Sequence, residues 1–138
     1  MINNGNRGDF VGIWSRANVD THLLNSFRTS WSKIADFPKI LALEPKLTAR
    51  EPSGASRRSF STFFRSDHAA FWYHKAGRAY GKTLEAILVS DWGPWRGYQR
   101  QCYHKKCDDQ TQLTTNNLRF LKKIIDTIVS AMYEMSTQ

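Results

Sequence analysis

A compact apolar run, LEAILVS, spans Leu84–Ser90 and stops abruptly at the turn-forming segment DWGPW, residues 91–95. A short apolar run bounded by turn residues predicts a buried strand, with a loop leaving its carboxyl end. Near the start, Asp9–Trp14 is rich in β-branched and aromatic residues, and it predicts a first strand. These two segments set the framework into which the helices must fit.

Helical spacing of apolar residues predicts three helices. The first begins at Asp20 or Thr21 and runs through Lys33, and a short one is capped at Ser66 or Asp67 and stops at Gly77. The last helix, about 116–134, shows one continuous apolar stripe, formed by Leu118, Leu121, Ile124, Ile125, Ile128, Val129 and Met132.

The alternation of strands and helices predicts an α/β class in which helices pack on a largely parallel sheet. The chain is expected to be a single domain, with a loop excursion at 37–61 where prolines and serines interrupt any longer period and leave one short strand around Ile40–Leu43. In such sheets ligands bind at the loops beyond the carboxyl ends of the strands. The loop from Asp91 to Asp109 is therefore the expected place for a site.

The charge of the chain is +8, with an isoelectric point near 9.8, and basic residues of that number can bind nucleic acid. They are, however, dispersed, and the densest groups are pairs such as Arg57-Arg58 and Lys122-Lys123. This pattern favours a solvated basic surface, so nucleic acid is not expected as a partner. The sequence shows neither a membrane-spanning run nor a secretory signal, and the compartment stays unknown.

Reactive side chains are densest in CYHKKCDD, residues 102–109. Zinc binding by Cys102, His104 and Cys107 is disfavoured, because closed structural sites need four ligands, usually in two separated pairs. A Cys107 nucleophile with His104 as base is disfavoured, because sequence neighbours rarely aim at one another. The residues alone leave two interpretations about equal: a disulfide that holds His104 outward, or two buried thiols beside a surface histidine.

A resemblance to a known family rests on two motifs in the same order. Tyr103-His104, followed by Asp108 and Leu113, resembles the C-terminal signature of the co-catalytic zinc aminopeptidases and glutaminyl cyclases, metallopeptidase family twenty-eight. The earlier segment SDHAAF, residues 66–71, resembles a family segment Ser-Asp-His-x-x-Phe that opens a helix. The start, GDFV at residues 8–11 followed by a helix, is similar as well, so the resemblance covers nearly the whole chain.

The resemblance implies a fold and a set of site residues. The fold is the C-terminal part of a three-layer α/β/α sandwich with a mostly parallel mixed sheet, so that 1–138 is a partial peptidase-like domain. It implies His104 as a zinc ligand, Asp108 as a supporting carboxylate, and a Cys102–Cys107 disulfide, which some secreted bacterial members place around the histidine. Trp92 and Trp95 would suit core packing equally well, but the resemblance implies four substrate-binding residues: Asp67, Trp92, Trp95 and Tyr103.

Most of the family's metal site has no counterpart in the sequence. The family holds two zinc ions with five ligands and uses a separate Glu as general base, whereas this chain has neither His-x-Asp nor Glu-Glu. A catalytic zinc usually needs about three protein ligands. We therefore expect either a truncated C-terminal fragment or a degenerate family member, which neither binds zinc tightly nor acts alone and which associates through an exposed sheet edge.

The function that the resemblance implies for the intact parent is hydrolysis of peptides by metal-activated water, with removal of N-terminal residues. The parent is expected in the secretory pathway. The alternatives are a glutaminyl cyclase-like transferase, a non-catalytic interaction module, and a basic nucleic-acid-binding module.

Overall fold

The computed structural model describes residues 10–36, 40–47, 52–59, 61, 63–74, 84–90, 102 and 104–137. No helix in these segments has the length and apolar character that crossing a membrane requires. The strands are β1 (Phe10–Arg16), β2 (Ile40–Leu47) and β3 (Leu88–Ser90). The helices are α1 (Thr21–Lys33), α2 (Gly54–Ser59), α3 (His68–Trp72) and α4 (Thr115–Ser136), and 3-10 turns lie at Phe63–Arg65 and Gln110–Gln112.

The strand and helices expected around β1, α1 and α4 are confirmed at nearly the predicted bounds. The helix expected after Ser66 is present as α3, but it ends at Trp72, and Asp67 makes no side-chain capping hydrogen bond. The run LEAILVS is a strand only in its last three residues, β3. In the segment 37–61, the short strand expected around Ile40–Leu43 is present as β2 and is longer than expected, whereas α2 lies where a loop was expected.

The predicted fold class is wrong. The described strands form one small sheet in the order β2-β1-β3, and the structure is a small mixed α/β arrangement with one antiparallel strand pair. It is not the C-terminal part of a three-layer α/β/α sandwich with a mostly parallel sheet. The prediction assumed long crossover helices between parallel strands. The described helices between β2 and β3 have only six and five residues.

The chain divides into two compact units. The cleft unit comprises Ile13–Asn25 and Leu43–Leu88, and the helix unit comprises Met1–Gly12, Ser26–Ala42 and Val89–Gln138. In the cleft unit, Leu47, Trp72 and Ala86 form a buried cluster. Two partly buried aromatic side chains pack against that cluster, Phe64 and Tyr73.

In the helix unit, α4 begins where the Thr114 side chain accepts a hydrogen bond from the backbone N–H of Asn117 (3.3 Å). Lys123 is buried on the inner face of α4, where its Nζ donates to the Asp36 carbonyl (2.7 Å) and lies 4.1 Å from the centre of a Trp31 ring. The buried residues of α4 recur at helical spacing and are Asn117, Phe120, Lys123, Ile124, Thr127 and Ala131.

Candidate functional site

A buried ion pair lies where β1 leads into α1 in the cleft unit. The side chains of Arg16 and Asp20 are fully buried, and Arg16 Nη2 donates to Asp20 Oδ1 (2.6 Å) while Nε donates to Oδ2 (3.0 Å). The turn between them passes through Asn18, which has a φ of 65°, a left-handed conformation that asparagine tolerates. A charge buried this deeply persists only when it is paired and hydrogen-bonded.

The same pair organises the segment before β3. Asp20 Oδ1 accepts from the Ala86 backbone N–H (3.1 Å), and Arg16 Nη2 donates to the Leu84 carbonyl (2.7 Å). The Ala86 carbonyl accepts from Trp72 Nε1 (2.8 Å). The backbone of residues 84–86 is thus held by side chains, which fixes it against α3.

An open cleft of about 320 Å³ lies beside this segment, entirely within the cleft unit. Two carboxylates border it, Asp67 and Glu85, and Glu85 Oε2 also accepts from the Leu23 N–H (3.0 Å) in the first turn of α1. The cleft's apolar wall consists of Leu23, Phe71, Ala86 and Ile87. An apolar cleft with carboxylates at its border suits a ligand that combines an apolar body with a positive charge.

His68 is the buried polar group of the cleft. Its side chain is only 6% exposed, and neither ring nitrogen has a hydrogen-bond partner among the described residues. The ring packs edge-on against Trp72, with 4.6 Å between ring centres. Burial lowers the pKa of His68 from 6.5 to about 4, so the ring is neutral near pH 7 and offers one N–H and one acceptor nitrogen.

This lowered pKa makes stability depend on pH. Between pH 6.5 and about 4, the unfolded chain binds a proton at His68 that the folded chain excludes, so the free energy of unfolding falls as the pH falls through this window. Above pH 6.5 His68 is neutral in both states, so the free energy of unfolding no longer depends on its protonation. We expect His68→Gln to make this fall shallower, as measured by urea unfolding at a series of pH values.

The matched control is His22→Gln, because His22 is exposed on α1 and its ring stays in water in both states. It should keep the wild-type pH profile. A His68→Gln profile as steep as the wild type would contradict the assignment.

The cysteine pair in the helix unit is a disulfide, as the resemblance implied. Cys102 and Cys107 are bonded, with 5.2 Å between their Cα atoms, a separation typical of disulfides. Both thiols are consumed, so thiolate zinc ligands and a Cys107 nucleophile are excluded for this form of the chain. The disulfide closes a loop of six residues that contains His104.

His104 is exposed within this loop and has a φ of 57°, an uncommon conformation for a residue with a side chain. Its backbone N–H donates to Asp108 Oδ2 (3.3 Å), and the Lys105 N–H donates to the Cys102 carbonyl (2.8 Å). The predicted supporting carboxylate, Asp108, therefore contacts the His104 backbone. The loop holds His104 at the surface.

The described residues do not fit a zinc ion by themselves. In the segments with described coordinates, no three His, Cys, Asp or Glu side chains lie together as a group that could hold a metal. His104 could supply one ligand, which is fewer than the three that a catalytic zinc needs. A zinc ion at His104 would therefore need ligands from outside this set of residues.

Of the four residues predicted to bind substrate, the structure describes only one. Asp67 borders the cleft, whereas Trp92, Trp95 and Tyr103 lie outside the described residues. The motif containing Asp67 also contains His68, which borders the same cleft. Leu23 and Glu85 were missed because they are far from the motif in sequence, and no spacing pattern links them to it.

Comparison with protein-family models, with curated proteins and with solved structures finds no match to this chain. The resemblance to the zinc aminopeptidases and glutaminyl cyclases thus stays a prediction from the quoted motifs.

Proposed function

We propose that this chain is the substrate-binding part of a zinc-dependent, aminopeptidase-type hydrolase, and that it is inactive by itself. The observation that carries the proposal is the cleft around His68, in which a neutral, buried imidazole lies between an apolar wall and two carboxylates. Because the predicted three-layer fold is wrong, the support comes from these residues and not from the fold.

The cleft matches the chemistry of a peptide N-terminus. An α-ammonium group can approach the Asp67 and Glu85 carboxylates, while an apolar first side chain packs against Leu23 and Phe71.

In this proposal His104 is one zinc ligand, which the Cys102–Cys107 loop holds at the surface. A bound zinc would supply a Lewis acid and an activated water. This chain's own residues bind and orient the peptide, and other ligands must complete the metal site.

Binding of leucinamide, which has a free ammonium group and an apolar side chain, tests the cleft. We expect it to bind the full chain, and N-acetyl-leucinamide, which lacks the charge, to bind far more weakly. Asp67→Asn should weaken leucinamide binding about fivefold, the effect of losing an exposed charge pair of about 1 kcal/mol. Isothermal titration calorimetry or NMR titration measures the affinity of each ligand for the wild type and for the variant.

The control for charge is Asp126→Asn, which removes an exposed carboxylate on α4 and should leave binding unchanged. Equal binding of the two amides would overturn the proposed cleft function. Zinc-dependent release of leucine from a peptide by this chain alone would overturn its proposed inactivity.

A further inference from the structure

The loop that the Cys102–Cys107 disulfide closes is joined to the start of α4 by side-chain hydrogen bonds within the helix unit. Gln112 Nε2 donates to the Cys107 carbonyl (3.4 Å), and Asn117 Nδ2 donates to the Gln112 carbonyl (2.6 Å). Asn117 is buried in the first turn of α4, where its backbone N–H donates to the Thr114 side chain. A continuous set of contacts therefore runs from the disulfide to the first turn of α4.

Side-chain packing contributes little to the order of this region. No described residue between Cys102 and Asn117 is buried, since Cys107 and Gln112 are partly buried and the others are exposed. Even Leu113, a large apolar residue, is 58% exposed. A segment with so few buried contacts has low local stability by itself. Its order therefore depends on the disulfide and on the hydrogen bonds around it.

The backbone of His104 shows what the closed loop imposes. Its φ of 57° is a conformation that a residue with a side chain keeps only when its surroundings impose it. Those surroundings are the disulfide itself and two hydrogen bonds, from the His104 N–H to Asp108 Oδ2 and from the Lys105 N–H to the Cys102 carbonyl. Breaking the S–S bond removes the covalent constraint, and His104 can then return to a commoner conformation.

We propose that the Cys102–Cys107 disulfide is a redox-sensitive clasp, which a small thiol of the glutathione class opens while α4 stays folded. The reductant's thiolate attacks Cys107 Sγ, because Cys107 is partly exposed whereas Cys102 is buried. A bond forms between the reductant sulfur and Cys107 Sγ, and Cys102 Sγ leaves with the electron pair and takes up a proton. A second thiolate attacks the reductant's sulfur in this mixed disulfide. Cys107 Sγ then leaves and takes up a proton, and the two reductant thiols become one disulfide.

The clasp controls how the loop presents His104, Lys105 and Lys106, which are all exposed. In the oxidised chain the loop is already ordered, so a contact with these side chains pays no cost of ordering it. In the reduced chain that cost falls on whatever binds, which weakens the contact. The clasp acts on the backbone, so it operates whether or not His104 binds zinc.

Reduction of the full chain without denaturant tests whether the clasp opens in the folded state. The chain is incubated with reduced glutathione at millimolar concentrations, alkylated with iodoacetamide and weighed by mass spectrometry. Both cysteines are expected to become alkylated, at a rate that rises in proportion to the thiol concentration, while circular dichroism shows an unchanged helix signal. Reduction only in urea that also unfolds α4 would overturn the proposal, because the bond would then be purely structural.

Hydrogen exchange tests the effect on the loop. The amides of Lys105 and Asp108, which donate to carbonyls at 2.8 and 2.9 Å, should exchange at least about tenfold faster after reduction. The amide of Ile124, on the buried face of α4, should keep its rate and serves as the internal control. The double variant Cys102→Ala with Cys107→Ala should show the same faster loop exchange without any reductant.

Two results of the exchange experiment would contradict the clasp. Loop amides that keep the oxidised rate in the reduced wild-type chain would show that the disulfide does not hold the loop. Equal acceleration at Ile124 would show that reduction unfolds α4 as well, so that the bond supports the whole unit and is not a local switch.

Discussion

Replacing Asp20 with alanine is expected to lower the free energy of unfolding by about 3–5 kcal/mol, because the change leaves the Arg16 guanidinium buried without its counter-ion. Both side chains are fully buried, and the Asp20 carboxylate accepts from two Arg16 side-chain nitrogens. It also accepts from the backbone N–H groups of Arg16 (2.6 Å) and Ala86 (3.1 Å). One substitution therefore removes an acceptor that four donors share. Urea unfolding followed by tryptophan fluorescence measures the loss.

A loss of this size is a large fraction of the 5–15 kcal/mol typical of a folded domain, so Asp20→Asn is the companion variant. The asparagine keeps one acceptor oxygen for the backbone and should fold, with a smaller loss. A matched control comes from the exposed pair Lys122 and Asp126, which has the same spacing of four residues. Asp126→Ala should change stability little, because exposed pairs contribute little.

The double variant Arg16→Met with Asp20→Leu separates the charge effect from the backbone effect. Replacing both ions removes the unpaired charge, and such replacements are often close to neutral. Here the N–H groups of Arg16 and Ala86 still lose their acceptor, so we expect a residual loss that is smaller than the loss in Asp20→Ala, because no charge is left buried alone. A double variant less stable than Asp20→Ala would contradict this account.

The buried ion pair also explains where the sequence prediction of strands failed. Apolar content identifies residues 84–90 as buried, and hydropathy alone extends the strand over the whole run. Residues 84–86 are instead hydrogen-bonded by the side chains of Arg16, Asp20 and Trp72, which lie elsewhere in the chain. No local pattern contains that information, so only β3 remains as strand.

Pro45 accounts for the second difference between prediction and structure, which is the extent of β2. Because prolines break any long period in residues 37–61, only a short strand around Ile40–Leu43 was predicted within a loop, whereas β2 continues through Pro45 to Leu47. In the sheet order β2-β1-β3, β2 is an edge strand, the position where a proline costs least. The helices α1 and α4 were predictable because their apolar spacing is long and regular. The directions of the strands were not predictable, because the alternation of strands and helices along the sequence does not determine them.

The candidate site likewise contains some residues that the sequence identified and others that it did not. The SDHAAF motif directed attention to Asp67, and the structure places Asp67 at the cleft. A buried His68 without a partner is a property of packing, which a linear motif does not reveal. The disulfide around His104 was predictable from the family resemblance, because residue spacing alone left free thiols as an equal interpretation.

The second large prediction concerns Trp72, whose side chain is 1% exposed. Trp72→Ala is expected to destabilise the chain by about 3–5 kcal/mol, because it leaves a large cavity in the cluster with Leu47 and Ala86. The indole also supports its surroundings. It lies under the Arg16 guanidinium (4.9 Å from the ring centre) and against the His68 ring.

The neighbouring aromatic residue gives the control. Phe71 is on the same short helix but is 48% exposed, so Phe71→Ala should cost far less stability. Trp72→Phe keeps most of the packing but leaves the Ala86 carbonyl without the indole N–H, so its expected loss lies between the two. Urea unfolding of the three variants gives this order. An equal loss of stability in Phe71→Ala and Trp72→Ala would contradict the assignment of Trp72 as the centre of the cleft unit's core.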